Sequence, residues 1–366
     1  MPDRRLWRHF DFVMIGLIVA LLVGGIAMVR SATRGDPVIE GLPFAQAVTA
    51  LAGLGVMLLV VVTDYGLLKN VAIPLYLVTL ASLAAVLIFG TDRFGARRWF
   101  QIGSLDLQPG EIAKILLTVV LAYIIASRQG RRPYFETIGL TLLAVAPCVF
   151  LIMRQPNLST ALTIVFIWLA IVFVGGIERQ HAVVMVVAGI AMILIIQQLG
   201  LVQTYQIERV EKLLGINVAA GDTYQIDQAR LALSSGGLTG LGYQTGTFSQ
   251  LRLVPARHTD FIYSVIGEEL GFAGAITFLV LILLVIARAL RAAWLSRDTF
   301  GRLLCVGVAA MLFLQTYTNV GMQLGILPVT GVVLPFVSYG RSNLLTLLAA
   351  VGIVESVVMR HRRLEF

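Results

Sequence analysis

The sequence predicts an all-α, polytopic membrane protein: about ten transmembrane helices in a single membrane domain over residues 1–366, with one long extracytoplasmic loop at about 202–261. Three observations carry this. Hydrophobic residues make up 58% of the chain, charged residues only 13%, and the mean hydropathy is +0.88, more apolar surface than a globular core of 366 residues can hide. The apolar residues gather into ten runs, each near the roughly 20 residues that a hydrocarbon layer about 30 Å thick requires. The basic residues mostly flank those runs, where topology and anionic headgroups place them.

Taken in order, the first run (11–30) follows Arg4, Arg5 and Arg8 in the manner of a secretory signal. It is longer than a cleavable apolar segment, and Ser31-Ala32-Thr33 is a poor cleavage site, so it reads as the first span. Further runs occupy 45–63, 70–90, 110–126, 137–153, 160–176 and 182–201, with Pro109 suited to the first turn of the fourth. After the long loop come 262–287, 303–324 and 342–359. An even number of spans puts both termini on one side. In the short connections that side carries fifteen basic residues against seven opposite, so both termini are expected to be cytoplasmic.

The net charge of +8 follows from this flanking pattern, and no nucleic-acid partner is expected. Cys148 and Cys305 lie inside apolar runs and read as packing residues. No internal repeat or matched pair of broken segments is visible, which weighs against a transporter. The long loop is too long for an ordinary connection and is rich in Gly, Ser, Thr and Gln, so function is expected there.

Basic residues on the outer side work against insertion. Arg93, Arg97, Arg98, Arg154 and Arg341, with Arg209, Lys212, Arg230, Arg252 and Arg257 of the long loop, would line a basic vestibule. Each could snorkel to lipid phosphates; the set as a whole favours an anionic ligand. Asp260 ends the loop and opens the eighth span. It fits a helix N-cap and equally a general base that takes a proton from a sugar hydroxyl, with His258 able to orient such a site. Glu268 and Glu269 lie inside the same span, where ionisable residues point to function. Asp260, Ser264 and Glu268, four apart, would share one face of a polar groove; the alternative is a glutamate paired with an arginine for packing. Glu111 and Lys114, three apart, suit a structural ion pair, although Lys114 could instead face a phosphate. Metal-ligand spacing, a phosphate-cradling loop and a Ser-His-Asp set are all missing, so no nucleotide cofactor is expected.

Several segments together resemble one family. PARHTDFIYSVIGEELGFAG from Pro255 is similar to a signature of the SEDS family (shape, elongation, division and sporulation). RRWFQIGSLDLQPGEIAK from Arg97, RQPNLSTAL from Arg154, ALSSGGLTGLGYQTGTFSQ from Ala232 and NVGMQLGILPVTGVVLPFVSYGRSNLL from Asn319 match at corresponding places. The resemblance covers nearly the whole chain. It implies a ten-span peptidoglycan glycosyltransferase that polymerises lipid II into β-1,4-linked strands at the outer face of the bacterial cytoplasmic membrane. The short N-terminal tail favours the elongation branch over the division branch.

The resemblance makes Asp260 the base that activates the acceptor 4-hydroxyl. The diphosphate leaving group implies contacts from among Arg97, Arg98, Lys114, Arg209, Arg230, Arg257 and Arg341, with His258, Glu268 and Ser338 beside the saccharide or diphosphate. A divalent cation, Mg2+ or Mn2+, would serve the same charge. The implied partners are lipid II, the nascent lipid-linked glycan and a class B penicillin-binding protein. Two departures from the family pattern stand out: Arg341 within Gly340-Arg341-Ser342-Asn343, and Asn157 and Ser159 where Asp and Gly are common. The competing readings are a lipid II flippase and an inert scaffold. The clustering of candidate residues at the outer surface, away from the midplane, favours chemistry.

Overall fold

The computed structural model describes residues 6–93, 96–103, 105–130, 134–176 and 224–361, and the statements below concern those residues. After a single 3-10 turn at Leu6–His9, the helices are α1 (Phe12–Thr33), α2 (Leu42–Val62), α3 (Leu67–Phe89), α4 (Pro109–Ser127), α5 (Tyr134–Arg154) and α6 (Leu158–Val174). Then follow α7 (Tyr224–Ser235), α8 (Thr247–Gln250), α9 (Ile262–Leu295), α10 (Thr299–Gln323) and α11 (Arg341–Met359). Eight of these are long and apolar enough to cross a membrane. The apolar α6, with 17 residues, reaches only about 26 Å at a rise of about 1.5 Å per residue. Nine of the ten expected runs are therefore helices; the run at 182–201 lies outside the described residues, as do Arg209, Lys212 and the side chain of Arg93.

Burial sorts the helices into two layers. Of its most apolar stretch, α11 buries 83% and α10 72%, whereas α3 buries 22%, so α10 and α11 form the centre and α3 faces lipid. The central helices pay for this position in side-chain size: a Cβ on Gly307 of α10 would lie 2.4 Å from Thr118 of α4, and one on Gly53 of α2 2.4 Å from Leu348 of α11. Small residues let apolar helices approach closely where lipid provides no hydrophobic drive between them. Cys148 and Cys305 are both buried and free.

The first and last described segments meet at one end of the bundle. The Asp11 N–H donates to Glu355 at 3.2 Å, and the His9 and His361 rings lie 4.7 Å apart. At that end Lys69 Nζ also donates to Asp298 at 2.6 Å, with the Tyr65 hydroxyl on the other carboxylate oxygen at 2.9 Å. The helices alternate, so residues 31–36, 98, 155–159, 257–260 and 330–343 collect at the opposite end.

Two features were not foreseen. The connection before α4 folds into an antiparallel sheet of β1 (Thr91–Arg93), β2 (Ala96–Ile102) and β3 (Leu105–Leu107), pairing Thr91 with Trp99 and Phe100 with Leu107. Its strands are too short to show a two-residue period against the apolar background. Secondly, α9 is interrupted at Gly271 (φ 68, ψ −170), backbone that is almost restricted to glycine. A helix break inside a membrane protein leaves polar backbone groups that must find partners. Here the glycine-rich segment 236–242 supplies them. The amides of Leu241 and Gly242 donate to the carbonyls of Glu268 and Glu269 at 3.0 Å each. The amides of Phe272 and Ala273 donate to Gly237 and Leu238 at 2.9 and 3.1 Å. The approach is too close for side chains: a Cβ on Gly240 would sit 2.2 Å from the Glu269 carbonyl oxygen.

Candidate functional site

Asp260 lies on the turn 255–261 at the end of the bundle opposite the termini, and it is half-buried. The N-cap of α9 is Phe261, without any side-chain cap, so the capping reading of Asp260 does not hold. Two amide side chains of α10 fix its backbone instead: Asn319 Nδ2 and Gln323 Nε2 donate to the Asp260 carbonyl at 2.9 and 3.1 Å. The Asn319 amide also holds Val332 at 2.6 Å, and Gln323 Oε1 accepts from the Ser264 N–H and hydroxyl at 2.6 and 2.8 Å. The Asp260 carboxylate lies beside Gly331, where an added Cβ would be 3.5 Å from Oδ2. A sequence reading could have found Asn319 and Gln323, because two amides four apart on an apolar span are a recognisable hydrogen-bonding pattern.

The segment before α11 closes over this turn. The Tyr339 N–H donates to the His258 carbonyl at 2.9 Å, their rings lie 6.2 Å apart, and Arg341 Nε donates to the Tyr339 hydroxyl at 2.9 Å. Burial, then the neighbouring Arg257 charge, push the His258 imidazole below its ordinary pKa, with Asp36 opposing. Arg257 is buried and donates to the Ala32 carbonyl at 2.6 Å, with Asp36 at 3.7 Å. Burial pulls its pKa below the usual guanidinium value, offset by Asp36. Ser159 at the start of α6 donates to the Thr330 carbonyl at 2.6 Å, and Asn157 Oδ1 caps α6 through the Thr160 N–H at 3.2 Å. Both departures from the family pattern thus have local work.

Other expected ligand contacts are committed to the scaffold. Arg98 donates to the carbonyls of Gln155 and Pro156. Arg230 donates to those of Leu324 and Gly325 at 3.2 and 3.0 Å, binding α7 to the end of α10. The Ser338 hydroxyl accepts from the Leu334 N–H at 2.8 Å and shapes a tight turn. Ser264 and Glu268 are wholly buried, so the expected groove along one face of α9 is absent: the Glu268 carboxylate instead accepts from the amides of Phe248 and Ser249 at 2.6 and 3.0 Å. Glu111 and Lys114 pair at 2.8 Å, and Asn343 donates to the same carboxylate oxygen. Arg97 remains largely exposed, 3.9 Å from Asp92. Among the described residues, those that gather at this turn are Asp260, His258, Tyr339 and Arg341.

Among the described residues no three His, Cys, Asp or Glu side chains converge to hold a metal ion. The described side chains do not by themselves form a cage for Mg2+ or Mn2+. A shallow cleft beside Arg128 and Thr137 lies at the other end of the bundle, away from Asp260.

Fold and site together define a multi-pass helical membrane protein with a half-buried aspartate, fixed through its backbone carbonyl, on a turn at one end. The chain belongs to the cell cycle protein family of FtsW, RodA and SpoVE, which it matches over residues 4–363. It is 36% identical over 357 residues to the peptidoglycan glycosyltransferase MrdB of Escherichia coli K12, covering 97% of this chain and 95% of that one. It is 34% identical over 358 residues to the probable peptidoglycan glycosyltransferase FtsW of Trichlorobacter lovleyi, covering 95% and 93%. Among solved structures, it is similar to the rod shape determining protein RodA of Thermus thermophilus (TM-score 0.71, 32% identity, 95% and 96% covered). It is also similar to a chain solved in work on coordinated polymerization and crosslinking by a peptidoglycan synthase complex (TM-score 0.82, 32% identity, 97% and 99% covered).

Proposed function

We propose that the chain is a peptidoglycan glycosyltransferase that polymerises lipid II at the outer face of the bacterial cytoplasmic membrane, in cell elongation, with both termini cytoplasmic. The relatives named as peptidoglycan glycosyltransferases support the activity, and MrdB supports the elongation role. The observation that carries the mechanism is Asp260: a half-buried carboxylate at the bundle's outer end, its backbone fixed by Asn319 and Gln323. The Asp260 carboxylate takes the proton from the acceptor hydroxyl as that oxygen bonds to the anomeric carbon of the donor. The bond from that carbon to the diphosphate oxygen breaks, and the configuration inverts. Charge develops on the leaving diphosphate, which Arg341 and the exposed Arg97 are suited to meet. The exposed apolar faces of α2 and α3 give polyprenyl tails an apolar surface.

A class B penicillin-binding protein is the proposed partner, supported by the likeness to a chain of a synthase complex that couples polymerization to crosslinking. The test is polymerisation of labelled lipid II by purified protein, with and without such a partner and with Mg2+, Mn2+ or a chelator. Asp260→Ala at equal folding should lower the rate by at least about 100-fold, the usual span for a lost general base. Strands made equally by wild type and variant would remove Asp260 as the base, and none from either would overturn the polymerase reading.

A further inference from the structure

The break at Gly271 divides α9 into two bodies, and the outer one, 262–270, begins two residues after Asp260. Its two ends are held by different parts of the chain. At the Asp260 end the holders are Asn319 and Gln323. At the break end, beyond the backbone bonds to segment 236–242, the holder is Glu269, whose buried carboxylate accepts from donors outside α9 among the described residues. The Ser31 hydroxyl at the end of α1 lies 2.6 and 2.7 Å from its two oxygens. The Gln244 N–H reaches it at 3.0 Å and Gln250 Nε2 at 3.2 Å. Gln250 Nε2 also donates to the Ser31 carbonyl at 3.2 Å, so α1, the loop before Asp260 and α9 are tied in one knot.

We propose that Glu269 is a positioning residue for Asp260, acting through the outer half of α9 with Ser31 as its anchor on α1. No continuous helix enforces the angle of this half, because the intrahelical bonds that would do so are replaced at Gly271 by bonds to the loop. Glu269 and Asp260 are nine residues apart, a lever of about 13 Å at a rise of about 1.5 Å per residue. A tilt of about 10° at the break would swing Asp260 by about 2 Å over that length. A displacement of about 1 Å from the reactive geometry can cost about 100-fold in rate. The inference rests on the polymerase reading for its catalytic readout alone.

The test compares Ser31→Ala and Glu269→Gln with Thr33→Val, using lipid II polymerisation and hydrogen–deuterium exchange on the purified full chain. Thr33 is a proper control: it is equally buried at the end of α1, but its hydroxyl serves only its own helix, at 2.9 Å from the Val29 carbonyl. Ser31→Ala should lower kcat about 10-fold with KM for lipid II within about twofold, and Glu269→Gln should lower it further, as expected for misplaced reacting groups. Exchange should rise at residues 259–266 in both variants, with α4 and α11 unaffected, and Thr33→Val should match wild type. The idea is overturned if exchange at 259–266 is unchanged in Ser31→Ala, if KM carries the loss, or if Thr33→Val behaves as Ser31→Ala does. Exchange is read without substrate, so an inactive wild type would defeat the polymerase reading while this arm still decided the positioning role.

Discussion

At the scale of single residues, the site is held largely by backbone carbonyls. Arg98, Arg230 and Arg257 spend their donors on the carbonyls of Gln155, Leu324 and Ala32, because guanidinium groups near apolar helices are most stable where several N–H groups are satisfied. His258 shows what burial does to a titrating group beside such a cation. In the unfolded chain its imidazole takes a proton near its ordinary pKa of 6.5; in the folded chain burial and Arg257 defer protonation to lower pH. Protons therefore favour the unfolded state through this residue. Its contribution to stability is complete above about pH 6.5 and is lost as pH falls through the folded value. The melting temperature of the wild type should drop more between pH 7.5 and 5 than that of His258→Gln; parallel curves would refute the assignment.

At the scale of elements, the glycine-rich run and the interrupted helix form one structure. Segment 236–242 supplies the amides and carbonyls that α9 loses at Gly271, so neither is complete without the other. Gly271→Ala would place a Cβ 2.3 Å from the Gly240 nitrogen and 2.6 Å from the Leu238 carbonyl, in a backbone region costing a non-glycine residue about 1–3 kcal/mol on its own. Adding the broken loop bonds, the loss of stability should reach about 3 kcal/mol or more. It should appear as a lower melting temperature and as early proteolysis near residues 237–250. A variant that melts like wild type would mean the loop can be remodelled without the splice.

At the scale of the whole molecule, polar chemistry is segregated to the two ends while the middle is packed by apolar and small residues. One end joins the termini through Asp11, Glu355, His9 and His361; the other carries Asp260 and the closing segment 330–343. This polarity is testable without any assay of activity. The Val38 side chain, 88% exposed between α1 and α2, should be labelled as Val38→Cys by an impermeant maleimide in intact spheroplasts. The exposed Gln129, after α4, should be labelled as Gln129→Cys only after permeabilisation. The buried native thiols Cys148 and Cys305 should give no background. The opposite pattern would invert the topology and place Asp260 in the cytoplasm.

Apolar runs, flanking arginines and turn residues are local properties, and a bilayer leaves few ways to satisfy them; the helices over nine runs, the pairing of Glu111 with Lys114 and the choice of Asp260 as the residue to test were therefore legible from the sequence. What Glu268, Glu269, Ser338 and most of the arginines do was not. Each is polar in a place where polarity suggests a ligand, and only the folded chain shows that its partners lie elsewhere in the protein, some more than two hundred residues away, such as the Ser31 hydroxyl for Glu269 and the Ala32 carbonyl for Arg257. The break in α9 was hidden for the same reason. A glycine in an apolar run reads as a packing residue, and its left-handed backbone is tolerable only because a distant loop arrives to take the freed hydrogen bonds. Sequence determines which groups need partners inside a membrane; the tertiary structure alone decides which partner each one finds, because that depends on contacts between segments remote along the chain.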